Sequence, residues 1–157
     1  MHGIFEQFPS WNEDNMILRP VTTEDQDDLT DLYDFQMNPE TVRRMISDYQ
    51  LCYQQKKEIL IGFTWQERLY GVLELYHFNG DACELGYRTC LHGRRQGITV
   101  KAVGFLLKAL KYTELHKLYA CCDRNHHASQ RILEDNGFRM IKTEDQKYWY
   151  QRDLTGN

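Results

Sequence analysis

The stretch Arg94-Arg95-Gln96-Gly97-Ile98-Thr99 carries the residue types that hold an anion. It follows a strand-like run and opens a helix-like one. The first amides of a helix lack intrahelical partners and point out of its N-terminus. The helix dipole adds partial positive charge there, so such a turn suits a phosphate or pyrophosphate. Gly97 lets the backbone approach the anion with no Cβ in the way. Arg94 and Arg95 add formal positive charge to a chain whose net charge is −4. On this string alone, an ordinary surface loop at a helix start is the competing reading. The Lys-Ser/Thr ending of a P-loop is missing, which disfavours a nucleotide triphosphatase, and so is the GxGxxG of a dinucleotide fold.

The other reactive side chains are less directed. The five cysteines, Cys52, Cys83, Cys90, Cys121 and Cys122, are odd in number and show no CxxC spacing. That pattern fits neither a disulfide framework nor a zinc site. Reduced thiols packed as small hydrophobes in a cytoplasmic protein are expected. His126 and His127 share one short loop, and solvent-facing imidazoles are expected there rather than a metal pair.

These groups need elements to position them. Met16-Ile17-Leu18-Arg19-Pro20-Val21 reads as a strand closed by a proline. Thr22 or Thr23 can cap a helix with Glu24 and Asp25 in its first turn. Leu29, Leu32, Tyr33 and Phe35 continue that helix. Asn38-Pro39 interrupts, and a second helix is expected from Glu40 or Thr41 to about Gln55. Strand-like runs follow at 58–65, 69–78 and 82–89. Asn79-Gly80 marks a hairpin between the last two. A helix starts near Ile98, a buried strand covers 118–122, and a helix covers 128–136 and ends at Gly137. Runs at 138–143 and 147–152 can form a last hairpin. The order is β-α-α-β-β-β-α-β-α-β-β. It reads as α/β, with a mixed sheet of about seven strands and about four helices in one domain. The strand at 82–89 and that at 118–122 are joined by a crossover, so they should run parallel.

With these elements in place, the motifs resemble a family. Arg94-x-x-Gly97-x-Thr99 resembles the Gln/Arg-x-x-Gly-x-Gly/Ala turn of the GNAT acetyltransferases. Glu84-Leu85-Gly86-Tyr87 resembles the E-I-G-Y strand of the branch containing ribosomal-protein N-terminal (alanine) acetyltransferases. The run from Asn125 to Phe138 resembles that branch's N-x-A-S-x-R-V-L-E-K-x-G-F. Ile17-Leu18-Arg19-Pro20 resembles its opening strand. The likeness covers about residues 16–152, in the family's order and spacing. Thr99 stands where Gly or Ala is usual. Asn125 precedes Ser129 by four residues where the family has three, so either one residue is inserted or His126 replaces the asparagine.

The resemblance implies acetyl-CoA as co-substrate, no metal, and direct attack of a primary amine on the thioester. The acceptor is a protein N-terminal α-amine or a small amine. The cofactor's pyrophosphate would lie on Arg94, Arg95, Gln96, Gly97, Ile98 and Thr99. Its pantetheine arm would lie along Tyr87, Arg88 and Thr89, with Asn125 or His126 and Ser129 beside it. A free α-amine has a pKa near about 7.7–8.0 and a lysine near about 10.4, so the former needs less help to become neutral. Glu84 is the candidate base, with Glu74 or water alone as alternatives. A tight Asn79-Gly80 turn would put Glu74 and Glu84 on opposite faces, and a three-residue turn on one face. Ser129 is the candidate to protonate the departing thiolate, or is only a helix cap. Ile132 and Leu133 fill the region where many relatives carry a tyrosine. Tyr148, Trp149 and Tyr150 either pack on the sheet or wall the acceptor pocket.

Composition narrows the remaining choices. The net charge of −4 argues against binding nucleic acid through bulk electrostatics. No apolar run approaches the roughly 18 residues of a membrane span. The N-terminus lacks a secretory pattern, so a cytoplasmic protein is expected, and the family resemblance implies a monomer or homodimer. The rival function is a non-catalytic acyl-CoA-binding or regulatory module that keeps the cofactor turn and has lost the acceptor chemistry.

Overall fold

The computed structural model describes residues 3–33, 38–90 and 97–154. Among them run β1 (Trp11–Glu13), β2 (Met16–Pro20), α1 (Gln26–Leu32), α2 (Pro39–Gln54), β3 (Ile59–Trp65), β4 (Arg68–Asn79) and β5 (Ala82–Thr89). Then follow α3 (Ile98–Leu110), β6 (Lys117–Asp123), α4 (His127–Asp135), β7 (Arg139–Glu144) and β8 (Lys147–Asp153). The strands form one mixed sheet in the order β1-β2-β3-β4-β5-β6-β8-β7. Neighbours are antiparallel except β5 and β6, which run parallel as the crossover requires. The α/β class and four helices agree with expectation, while the strand count rises from seven to eight. The addition is β1, which folds back on β2 through Asp14 at φ 57°. Three residues are too few for alternation to announce a strand.

Alternation along the central strands divides two apolar cores. Ile59, Ile61 and Phe63 of β3, Leu73 and Leu75 of β4, and Cys83 and Leu85 of β5 face α3 and α4. There they meet Ala102, Val103, Leu106, Leu110 and Leu133. Leu60 and Val72 face the other way, onto Leu29 and Leu32 of α1 and Val42 and Ile46 of α2. Each such aliphatic side chain contributes about 1.5–3 kcal/mol through burial.

The helix starts are locally encoded. The Asn38 side chain accepts the Thr41 amide at 2.8 Å, and Pro39 occupies the first helical position. Thr22 and Asp25 form a reciprocal capping box around the 3-10 turn Thr23–Asp25, which leads into α1. Asp25 is buried and takes a bidentate grip from Arg19 at 2.8 and 2.9 Å, plus the Thr22 amide at 2.9 Å. Burial alone would raise its carboxyl. The hydrogen bonds from Arg19 and Thr22, with the Arg19 charge, outweigh this and hold it below the usual carboxylate range. The folded value is depressed, so this contribution is complete above the unfolded carboxyl's value of about 3.9 and is lost as pH falls through the folded value. Asp25→Ala is expected to cost about 2 kcal/mol at neutral pH and less in acid, by urea denaturation.

The β4–β5 hairpin departs from expectation in an instructive way. Asn79 pairs with Ala82, so the turn residues are Gly80 and Asp81, and Gly80 alone carries positive φ, at 62°. The next pair is Tyr76 with Glu84. His77 and Phe78 therefore oppose the single residue Cys83, which is a β-bulge, and His77 sits at φ 51°. The bulge reverses side-chain parity. Tyr76 stays opposite Glu84 on the face of α1 and α2, while Phe78 turns to the other core and meets Phe5 edge-on at 4.9 Å. A two-residue turn and a bulge together place Glu74 and Glu84 on one face.

Candidate active site

Strands β5 and β6 pair over only three residues, Ala82–Lys117, Cys83–Leu118 and Glu84–Tyr119. Beyond Glu84 the parallel ladder stops, while β6 remains paired with β8 along its whole length. The two halves of the sheet part at this point. A cleft of about 880 Å³ opens there, walled by Tyr87, Arg88 and Thr89 of β5, the start of α3, and the start of α4.

Gly97 is the N-cap of α3, at φ 71° and ψ 8°, a left-handed conformation suited to glycine. A Cβ built there meets none of the described residues within 4 Å. Gly97 has no side chain to cap the amides that follow, and the first turn of α3 holds no acidic residue. Gly97, Ile98, Thr99 and Val100, which carry these amides, line the cleft, an arrangement suited to an anionic group. Thr99 does not intrude with its extra bulk. Its side chain is buried, and its hydroxyl hydrogen-bonds the Thr89 hydroxyl, tying the end of β5 to the start of α3. Arg94, Arg95 and Gln96 lie outside the described residues.

At α4, Asn125 and His126 take different places relative to the cleft. His126 is the N-cap residue, and His126 and His127 both line the cleft. Asn125 is exposed and is not among the lining residues. Arg131, one helical turn after His127, lines the cleft as well. Sequence reading left Arg131 without a role, although its place four residues after His127 was a usable signal.

Ser129 is buried at the third position of α4, so it is not the helix cap. Its Oγ lies 2.5 Å from the Tyr87 hydroxyl, which also donates to the Ser129 carbonyl at 3.2 Å. Burial pushes the Tyr87 phenol up to about 12, so it stays protonated and able to donate at neutral pH. The tyrosine missing from α4 thus has a counterpart on β5. Tyr150 is buried in the core and Tyr148 packs against it. Trp149, opposite Cys121 on β6, is half-buried with Lys142 5.5 Å from its ring.

The opposite face of β4 and β5 is acidic and aromatic. Glu74 and Glu84 lie there with Tyr76 between them in register. Glu74 accepts from the Tyr49 hydroxyl of α2. Its pairing partner is Gly86, where a Cβ would come within 3.3 Å of the Tyr76 ring and 3.9 Å of the Glu74 carboxylate. Burial first, then the Glu74 carboxylate, raises the phenols of Tyr33 and Tyr49. Burial and Glu84 push Tyr76 up to about 12. All three are therefore neutral hydroxyl donors at physiological pH. The Arg88 guanidinium sits 4.9 Å above the Tyr33 ring, linking this face to the cleft. Glu84 is mostly buried and bonds to His77 through Oε2. Hydropathy patterning put Tyr33 and Tyr49 on the apolar stripes of the first two helices, but it carried no signal for their hydroxyls or for His77, because those contacts depend on which strands and helices meet.

Burial raises Cys83 and Cys90 to about 12, so both are thiols rather than thiolate nucleophiles. Among the described residues no group of His, Cys, Asp and Glu gathers as a metal site, and no helix is long and apolar enough to cross a membrane.

Comparison with known proteins adds to this geometry. Residues 15–139 match the family described as an acetyltransferase (GNAT) domain. A RimL ribosomal L7/L12 alpha-N-protein acetyltransferase in complex with coenzyme A superposes with a TM-score of 0.81, at 16% identity over 90% of this chain and 95% of that one. The microcin C7 self-immunity acetyltransferase MccE, in complex with acetyl-CoA and AMP, gives 0.78 at 12% identity over 90% and 93%. An acetyl transferase from Salmonella typhimurium that modifies the N-terminal serine of ribosomal protein L7/L12 gives 0.76 at 15% over 90% and 96%. At these identities the likeness establishes the fold. Comparison with curated proteins returned no match.

Proposed function

Because this chain belongs to the GNAT acetyltransferase family, we propose that it is an acetyl-CoA-dependent N-acetyltransferase acting on a primary amine. The observation that carries this reading is the α3 N-terminus, begun by Gly97, opening onto the cleft where β5 and β6 part. That cleft suits a ligand with a pyrophosphate and a long amide-bearing arm. The α3 amides after Gly97, together with Arg94, Arg95 and Gln96, take the phosphates. The edge of β5 at Tyr87, Arg88 and Thr89 takes the arm, with Ile98 and Thr99 at the turn. His126 fills the family's asparagine place, and Asn125 lies just outside.

Bound acetyl-CoA supplies an activated acyl group as a thioester, which a neutral amine attacks directly. Glu84, at the point where the strands part, takes the proton from the ammonium form of the acceptor, directly or through a water. Glu74 is the second carboxylate on that face and orients the amine. Ser129, hydrogen-bonded to Tyr87, gives a proton to the departing sulfur and is reprotonated by the second proton, which the attacking nitrogen loses as the amide forms. Holding the amine against the acyl carbon supplies most of the acceleration. A protein α-amine is the favoured acceptor, because about half of it is already neutral near pH 8. The fold's likeness to enzymes that modify the L7/L12 N-terminus supports that choice. The reduced thiols fit a cytoplasmic setting.

The test is release of coenzyme A from acetyl-CoA with a panel of amines: serine- and alanine-led peptides, polyamines, aminoglycosides and amino acids. Turnover fastest on the peptides is expected. Binding with no turnover on any member would replace the enzyme with a non-catalytic acyl-CoA-binding module. Failure to bind acetyl-CoA at millimolar concentration would overturn both readings.

A further inference from the structure

The bulge in β4 does more than turn Phe78 into the core. It leaves His77 as an extra residue on the strand, at φ 51°, a left-handed conformation uncommon outside glycine that histidine enters more readily than most residues. A residue held there persists where its surroundings determine it. Two contacts determine His77. Its ring stands edge-on to Tyr76 at 4.7 Å, and its Nδ1 meets Glu84 Oε2. The imidazole is otherwise exposed, so burial does not account for its placement.

We propose that His77 is the positioning residue of Glu84, an inference that rests on Glu84 acting as the base. An Nδ1–H donating to Oε2 fixes the carboxylate rotamer and leaves Oε1 to receive the acceptor's proton. Burial raises the neighbouring Tyr76 and Cys83 to about 12 and raises Cys121 too, so none of these three competes for that proton near neutrality.

Steady-state kinetics with acetyl-CoA and a serine-led peptide tests this. His77→Ala is expected to lower kcat by about tenfold, a fraction of what general-base catalysis contributes. KM for acetyl-CoA and the thermal midpoint should stay at the wild-type values. His77→Gln keeps an N–H donor and should recover most of kcat. In a Glu84→Gln background, His77→Ala should cost nothing more. Wild-type kcat in His77→Ala, or no recovery in His77→Gln, would overturn the inference while leaving the base intact. So would a His77→Ala deficit that persists without Glu84. Wild-type kcat in Glu84→Gln would instead overturn the base and this inference together, and absence of turnover by the unmodified chain on every panel amine would do the same.

Discussion

Gly97→Glu is expected to weaken acetyl-CoA binding by about 100-fold or more, measured by calorimetry, while leaving the chain folded. The left-handed N-cap conformation costs an L residue about 1–2 kcal/mol. The added carboxylate enters the space before α3, where a Cβ meets none of the described residues within 4 Å. It can accept the same amides that the pyrophosphate would use, and it repels the phosphate charge. A negative charge at this end of α3 is favourable to the helix dipole by about 0.3–1 kcal/mol, so it offsets part of the backbone strain. Binding and folding should therefore separate. Gly97→Ala carries the strain without the charge and should weaken binding by about tenfold at most. An unchanged dissociation constant in Gly97→Glu would remove the α3 N-terminus as the phosphate site.

Glu84→Gln should lower kcat on an α-amine acceptor by about 100-fold below the amine's own pKa. The sign of the pH dependence follows from what the base does. Below about pH 7.7 the acceptor arrives protonated and must lose a proton to Glu84. Above that value solution has already removed it, so the variant's deficit should shrink as pH rises. A lysine-like amine, with a pKa near about 10.4, should keep the deficit across this range. Glu74→Gln should raise the acceptor KM more than it lowers kcat, because that carboxylate orients the amine. A Glu84→Gln enzyme with full kcat at pH 6.5 (an order-of-magnitude choice about one unit below the α-amine value) would move the base to Glu74 or to water.

Much of the scaffold was legible residue by residue. Asn38 and Pro39 start α2 because the cap and the fixed φ act within one turn. The parallel pairing of β5 and β6 follows from a crossover whose hand and length admit little else. Glu74 and Glu84 were legible as candidates, but not their common face. That depended on a bulge which Asn79-Gly80 does not announce. The Tyr87–Ser129 contact joins residues 42 positions apart, and no local spacing encodes it. That His126 lines the cleft while Asn125 does not follows from where β6 ends and α4 begins, which local spacing does not announce.

From the sequence alone came one place for an anion to sit, because a glycine opening a helix is chemistry contained in about one helical turn. Which carboxylate stands where the strands part, and which side chain meets it, depended on tertiary pairing. Phe78 reaches Phe5 in the core only if the strand gains a residue, and that residue is His77. The alignment of Glu84 with Tyr76, Glu74 and His77 is thus set by apolar packing on the opposite face of the sheet. A burial preference there moves every side chain here, because successive residues of a strand point to opposite sides.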